Sequence, residues 1–111
     1  MSNEEKKPET LQEAVEIIYN DWGWKDNEDF MSEIKALSAK HFASKQHMWS
    51  GMAIRNEFNL WNSDTPLFKH MKELGAKHPD DMSNRILIEV YKYAHVQLKK
   101  AEENEEAESN Q

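Results

Sequence analysis

The sequence predicts an all-α domain of about five helices, and three observations point there. Apolar residues recur at spacings of three and four in five separate stretches, helix-capping residues stand at the head of most of them, and no alternating segments flank an Asn-Gly or Asp-Gly turn. The 111-residue chain has 38% hydrophobic and 32% charged residues, enough to bury one core but not two. Four Trp, four Phe and three Tyr argue against a fully disordered chain.

The first helix is expected over about residues 11–22. Thr10 and Glu13 form a capping box, Leu11, Val15, Ile18 and Trp22 share a stripe, and Gly23 is the natural left-handed stop. A second helix starts after Asp26 or Asn27, with Glu28 and Asp29 in its favourable first turn and Phe30, Ile34, Leu37 and His41 on one face. A third runs from Gln46 to about Leu60, with Met48, Met52, Arg55 and Phe58 in one row and Trp49, Ala53 and Ile54 beside it. Gly51 interrupts it at a cost of about 1 kcal/mol relative to alanine, which predicts a close helix crossing at that position. The fourth opens at Ser63-Asp64-Thr65-Pro66, turns Leu67, Phe68, Met71 and Leu74 inward, and stops at Gly75. The fifth opens at His78-Pro79-Asp80-Asp81 and carries Met82, Ile86, Val90 and Tyr93; it should be the longest and fray near residue 101. The domain is thus expected at residues 9–100, between a disordered N-terminus (1–8) and a disordered acidic tail (101–111).

The net charge of −7 is unevenly spread. Residues 10–34 sum to −6, residues 35–63 to +3, residues 64–100 to +2, and residues 101–111 to −5. A polarised surface of this kind steers partners of opposite sign. It disfavours nucleic acid, which would need a contiguous patch of Lys35, Lys40, Lys45, Lys69, Lys72 and Lys77. Mimicry of nucleic acid by the acidic stretches is a related reading. The absence of Cys removes disulfides and thiolate chemistry. No run approaches a membrane span and the opening residues lack a signal-peptide core, so the expected setting is the cytosol with no membrane contact.

Two polar groups stand out. His78-Pro79-Asp80-Asp81 places an imidazole beside two carboxylates, as a metal or acid–base site would, but proline and two acids also make an ordinary helix start. Arg55-Asn56 interrupts an apolar stretch, and a guanidinium there needs a carboxylate to offset its desolvation. Asp80 or Asp81 is the expected partner, tying the third helix to the start of the fifth. No histidine pair has the spacing of paired zinc ligands, His70 with Glu73 being the nearest approach, and no metal or cofactor is implied. Trp22, Trp49 and Trp61 lie on or at the ends of apolar stripes and read as core, whereas Trp24, in the turn after Gly23, is the candidate interface anchor if exposed.

Gly51-Met52-Ala53-Ile54-Arg55-Asn56-Glu57-Phe58-Asn59-Leu60-Trp61 and Leu74-Gly75-Ala76-Lys77-His78-Pro79-Asp80-Asp81-Met82-Ser83 resemble a small helical domain family of unknown function found in bacterial and phage proteins. The shared pattern is Gly-x-x-Ile-Arg-Asn, then Leu-Trp, then His-Pro-Asp-Asp-Met. The resemblance implies no reaction, cofactor or partner, but groups Gly51, Arg55, Asn56, Trp61, His78, Asp80 and Asp81. The resulting expectation is a non-enzymatic protein-binding domain, with a phage- or mobile-element-encoded modulator of a host protein as one setting. The alternative is a small enzyme or ligand-binding domain with a pocket lined by Arg55, Asn56, His78, Asp80 and Asp81.

Overall fold

The computed structural model describes residues 7–109, with side chains through residue 105, and its described residues form an all-α fold. The first helical rod joins α1 (Leu11–Glu16) to a π-helical turn at Ile17–Asp21. After Gly23, at φ +80°, a short 3₁₀ turn at Trp24–Asp26 leads to α2 (Glu28–Ala36). A third rod joins α3 (Ala39–Gln46) through a second π-helical turn (His47–Gly51) to α4 (Met52–Glu57), followed by α5 (Pro66–Glu73) and α6 (Pro79–Ser109). All five shorter α-helices pack on α6, so the core lies along that helix, around Met82, Ile86, Leu87 and Val90.

The expected caps form. The Thr10, Asn27 and Thr65 side chains accept backbone N–H bonds at the starts of α1, α2 and α5, and Gly75, at φ +100°, follows the end of α5. The second helix does not reach His41: the chain extends at Leu37 and Ser38, and the Ser38 hydroxyl accepts the His41 N–H at 3.2 Å, starting α3. Two carbonyls freed at the end of α2 are taken up by α6, where Tyr91 Oη–H donates to the Leu37 oxygen at 2.5 Å and His95 Nε2 lies 2.8 Å from the Ile34 oxygen. His70 Nδ1 accepts the Leu11 N–H at 3.0 Å, joining α5 to the first turn of α1.

The limits of the domain differ from the expected ones. Residues 1–6 and 110–111 lie outside the described residues, but Pro8 is buried and Lys7 Nζ–H donates to the Glu57 carbonyl at 3.0 Å. Helix α6 continues past residue 101 to Ser109. The glutamates there oppose the helix dipole, but Ala101, Glu102, Glu103, Glu105, Glu106 and Ala107 are strong helix formers, and Lys99 stands one turn before Glu103.

Tyr19 sits at the α1 side of the core, edge-on to Tyr93 with ring centroids 5.1 Å apart. Burial raises its phenol above the ordinary value, and Tyr93 and Asp26 push the same way. The neutral phenol is therefore the form that the fold favours, so its contribution is complete below about pH 10 and is lost as pH rises through the higher folded value. Ultraviolet titration should show a phenol ionising above the ordinary tyrosine range, and Tyr19→Phe should remove that step; its persistence in the variant would assign it elsewhere.

Candidate functional site

The third rod has two unlike faces. Gly51, Ile54, Arg55 and Phe58, at spacings of three and four, are buried and face inward. Arg55 is only 8% exposed. Its Nη1–H donates to the Ser83 Oγ of α6 at 2.8 Å, and the Ser83 hydroxyl in turn donates to the Asp80 carbonyl at 3.1 Å. Asp80 Oδ1 lies 3.4 Å from Arg55 Nε, close enough for an ion pair, although Nε makes no hydrogen bond. Thus the expected tie between the third helix and the start of the fifth exists, with Asp80 as the partner and Ser83 as a second anchor.

Gly51 explains how the guanidinium fits. A Cβ at this position would lie 3.0 Å from Arg55 Nη1 and 3.6 Å from Ser83 Oγ. The crowding expected at Gly51 is present, but its cause differs from the expected helix crossing: the nearest neighbour is not another helix's backbone or a ring but the rod's own Arg55 guanidinium, lying toward Ser83 of α6.

The outward face corrects the expected core role of Trp49, and that of Trp61 falls with it. Trp49 is 77% exposed, Met48 70%, Trp61 62% and Met52 45%. Met48, Met52 and Asn56 follow one another at the four-residue spacing, with Trp49 and Ala53 beside them. Asn59, at φ +53°, ends the rod; the Leu60 N–H donates to the Arg55 carbonyl at 2.9 Å, and Trp61 Nε1–H reaches Asn56 Oδ1 at 3.1 Å. Trp61 thereby extends the ridge, its indole donor satisfied by Asn56.

Trp24 moves the other way and is not an exposed anchor. It is 5% exposed, stacked on Phe30 with centroids 3.9 Å apart, and edge-on to Phe42 at 6.2 Å. The 3₁₀ turn after Gly23 places the ring inside rather than leaving it in a loop.

The five-residue polar pocket does not assemble. Arg55 is buried, Asn56 belongs to the outward ridge, and His78 is exposed, its carbonyl accepting the Met82 N–H at 2.9 Å. Asp80 and Asp81 do border an open groove of about 380 Å³, but their companions are Lys40, Ser44, His47, Asn84 and Ile88. No group of three metal-ligating side chains converges among the described residues. Of the lysines expected in a nucleic-acid patch, Lys35 lies on α2, Lys40 and Lys45 on α3, Lys69 and Lys72 on α5 and Lys77 between α5 and α6, and Lys45 Nζ pairs with Glu33 at 2.7 Å.

The family described as "Domain of unknown function (DUF6794)" matches residues 7–94, most of the chain. The chain belongs to this family. The matched span of the DUF6794 domain includes the Arg55 cluster, the ridge and the helix start at Asp80. No curated protein and no solved structure matches the chain. No helix among the described residues of the DUF6794 domain is long and apolar enough to cross a membrane.

The ridge was missed because apolar residues occupy both faces of the third rod, and their spacing alone does not say which is buried. One signal was available: between Lys45 and Glu57 the only Lys, Arg, Asp or Glu is Arg55, which leaves the opposite face without formal charge once Arg55 is inside.

The short bond to Ser83 is buried, whereas the Asp80 carboxylate is well exposed. Ser83→Ala should therefore cost about 1–3 kcal/mol by stranding a guanidinium donor, and Asp80→Asn about 1 kcal/mol or less. Denaturant unfolding of the two variants checks the order, and a larger loss in Asp80→Asn would reverse it.

Proposed function

We propose that this domain works by binding protein, with the ridge Met48–Trp49–Met52–Ala53–Asn56–Trp61 as its contact surface. The supporting observation is the exposure of Met48, Trp49 and Met52 on the third rod and of Trp61 just beyond its end, where its indole is bonded to Asn56. Trp and Met are enriched in interface centres and charged residues are depleted there, and this face has that composition. Of the polar residues that would have made a catalytic pocket, Arg55 is engaged with Ser83 and Asp80, and Asn56 with Trp61. A cytosolic setting, and a phage- or mobile-element-encoded modulator of a host protein, belong to the same reading.

The groove beside Asp80 and Asp81 favours a second reading, binding of a small polar ligand. Its lining brings together two carboxylates, a lysine, a histidine, a serine and an asparagine from two rods. Because Asp80 also faces Arg55, a ligand there would compete for a carboxylate that the fold already uses.

Site-specific photo-crosslinking separates the readings. A photoreactive residue at position 49 or 52 should form discrete protein adducts in cells, identifiable by mass spectrometry, while the same residue at the exposed Lys25 position should not. Identical adducts at both places, or none on the ridge, would overturn the ridge as the contact surface.

A further inference from the structure

We propose that the ridge pairs with the same ridge of a second copy of this chain, the two α3–α4 rods crossing antiparallel near Met52 and Ala53. This rests on the protein-binding reading and names the occupant. Taking a whole tryptophan surface as about 250 Å² and methionine as somewhat less, the four exposed side chains present roughly 550 Å², toward the upper end of what a monomer commonly leaves open. Two such faces would bury roughly 1,100 Å² before the rim is added, which passes the approximate threshold for a specific interface.

Charge distribution favours a second copy meeting at this face. Each chain carries −7, so two copies repel one another wherever their acidic stretches approach. Residues 46–56 present no formal charge outward, because the one Arg among them is buried. At the start of the ridge Lys45 is neutralised by Glu33 at 2.7 Å, and the formal charge that bounds its other end is the exposed carboxylate of Glu57. The ridge is therefore a face on which two acidic chains can meet with little local repulsion.

Its side chains also suit antiparallel self-pairing. Bulk is concentrated at Met48 and Trp49, while Ser50 and Ala53 are small. A two-fold axis near Met52 and Ala53 sets each copy's Trp49 opposite the other's Asn56, beside Trp61, so that aromatic rings meet at both ends of the pairing while small residues meet near its centre. A parallel arrangement would set Trp49 against Trp49.

The chain has no cysteine, which gives a direct test. At about 100 µM, a concentration suited to an interface at the small end of the range, sedimentation equilibrium should give twice the 13.1 kDa chain mass. Trp49→Glu should return the mass to that of one chain with an unchanged circular dichroism spectrum, because this side chain is exposed. Ala53→Cys should yield a disulfide-linked dimer under mild oxidation, whereas Lys25→Cys should not. A monomeric wild type, or a Trp49→Glu variant that still dimerises, overturns the self-pairing. A monomeric wild type that nonetheless forms ridge-specific photo-adducts with another protein removes the second copy as occupant and leaves the protein-binding reading in place. A monomer without such adducts removes both.

Discussion

The buried guanidinium of Arg55 is the constraint on which the arrangement of the third rod depends. Withdrawing this charge from water costs several kcal/mol unless it is compensated, and α6 compensates it with the Ser83 Oγ that accepts from Nη1 and the Asp80 carboxylate 3.4 Å from Nε. Those partners exist only at the first turns of α6, so the rod must lie against that end of the long helix. Gly51 is the complementary half of the arrangement, because the space beside its backbone is filled by the guanidinium.

The same constraint determines what the molecule shows to solvent. Apolar residues lie on both sides of the rod: Ile54 and Phe58 on one, Met48, Trp49 and Met52 on the other. Hydrophobic burial alone would reward either orientation. Turning the rod by one residue, about 100°, would pull Arg55 from Ser83 and bring side chains with Cβ atoms to the tight position that Gly51 now holds. Arg55 and Gly51 therefore select the orientation, and the Met–Trp ridge is its outward consequence. The two π-helical turns, each of which shifts the phase of the residues beyond it, make an unbroken 3.6-residue repeat a poor guide to both rods that contain them.

Much of the fold was legible because local chemistry declared it. Thr10, Asn27 and Thr65 are caps, Pro66 starts α5, and Gly23 and Gly75 adopt positive φ where a helix stops. The tie between Arg55 and Asp80 was legible from the cost of an unpaired guanidinium in an apolar row, whereas Ser83, a better-placed partner, carried no charge to advertise it. The break at Ser38 was obscured by helix-compatible residues on both sides. Trp24 and Trp49 exchanged their expected places because exposure depends on the turn at Gly23 and on the rod's rotation, and neither is a property of the residue itself. The groove at Asp80 and Asp81 draws Lys40, Ser44 and His47 from a distant stretch of chain, a juxtaposition that sequence spacing does not contain.

A double-mutant cycle between Gly51 and Arg55, followed by denaturant unfolding, tests the central claim most directly. In the wild-type background Gly51→Ala should destabilise the domain by about 1–2 kcal/mol, overcoming the gain of about 1 kcal/mol that alanine brings to a helix. In an Arg55→Met background, where a flexible apolar side chain replaces the guanidinium, the same substitution should become neutral or stabilising. If Gly51→Ala has the same effect in both backgrounds, the glycine and the guanidinium are not coupled, and the orientation of the rod must be set by something else.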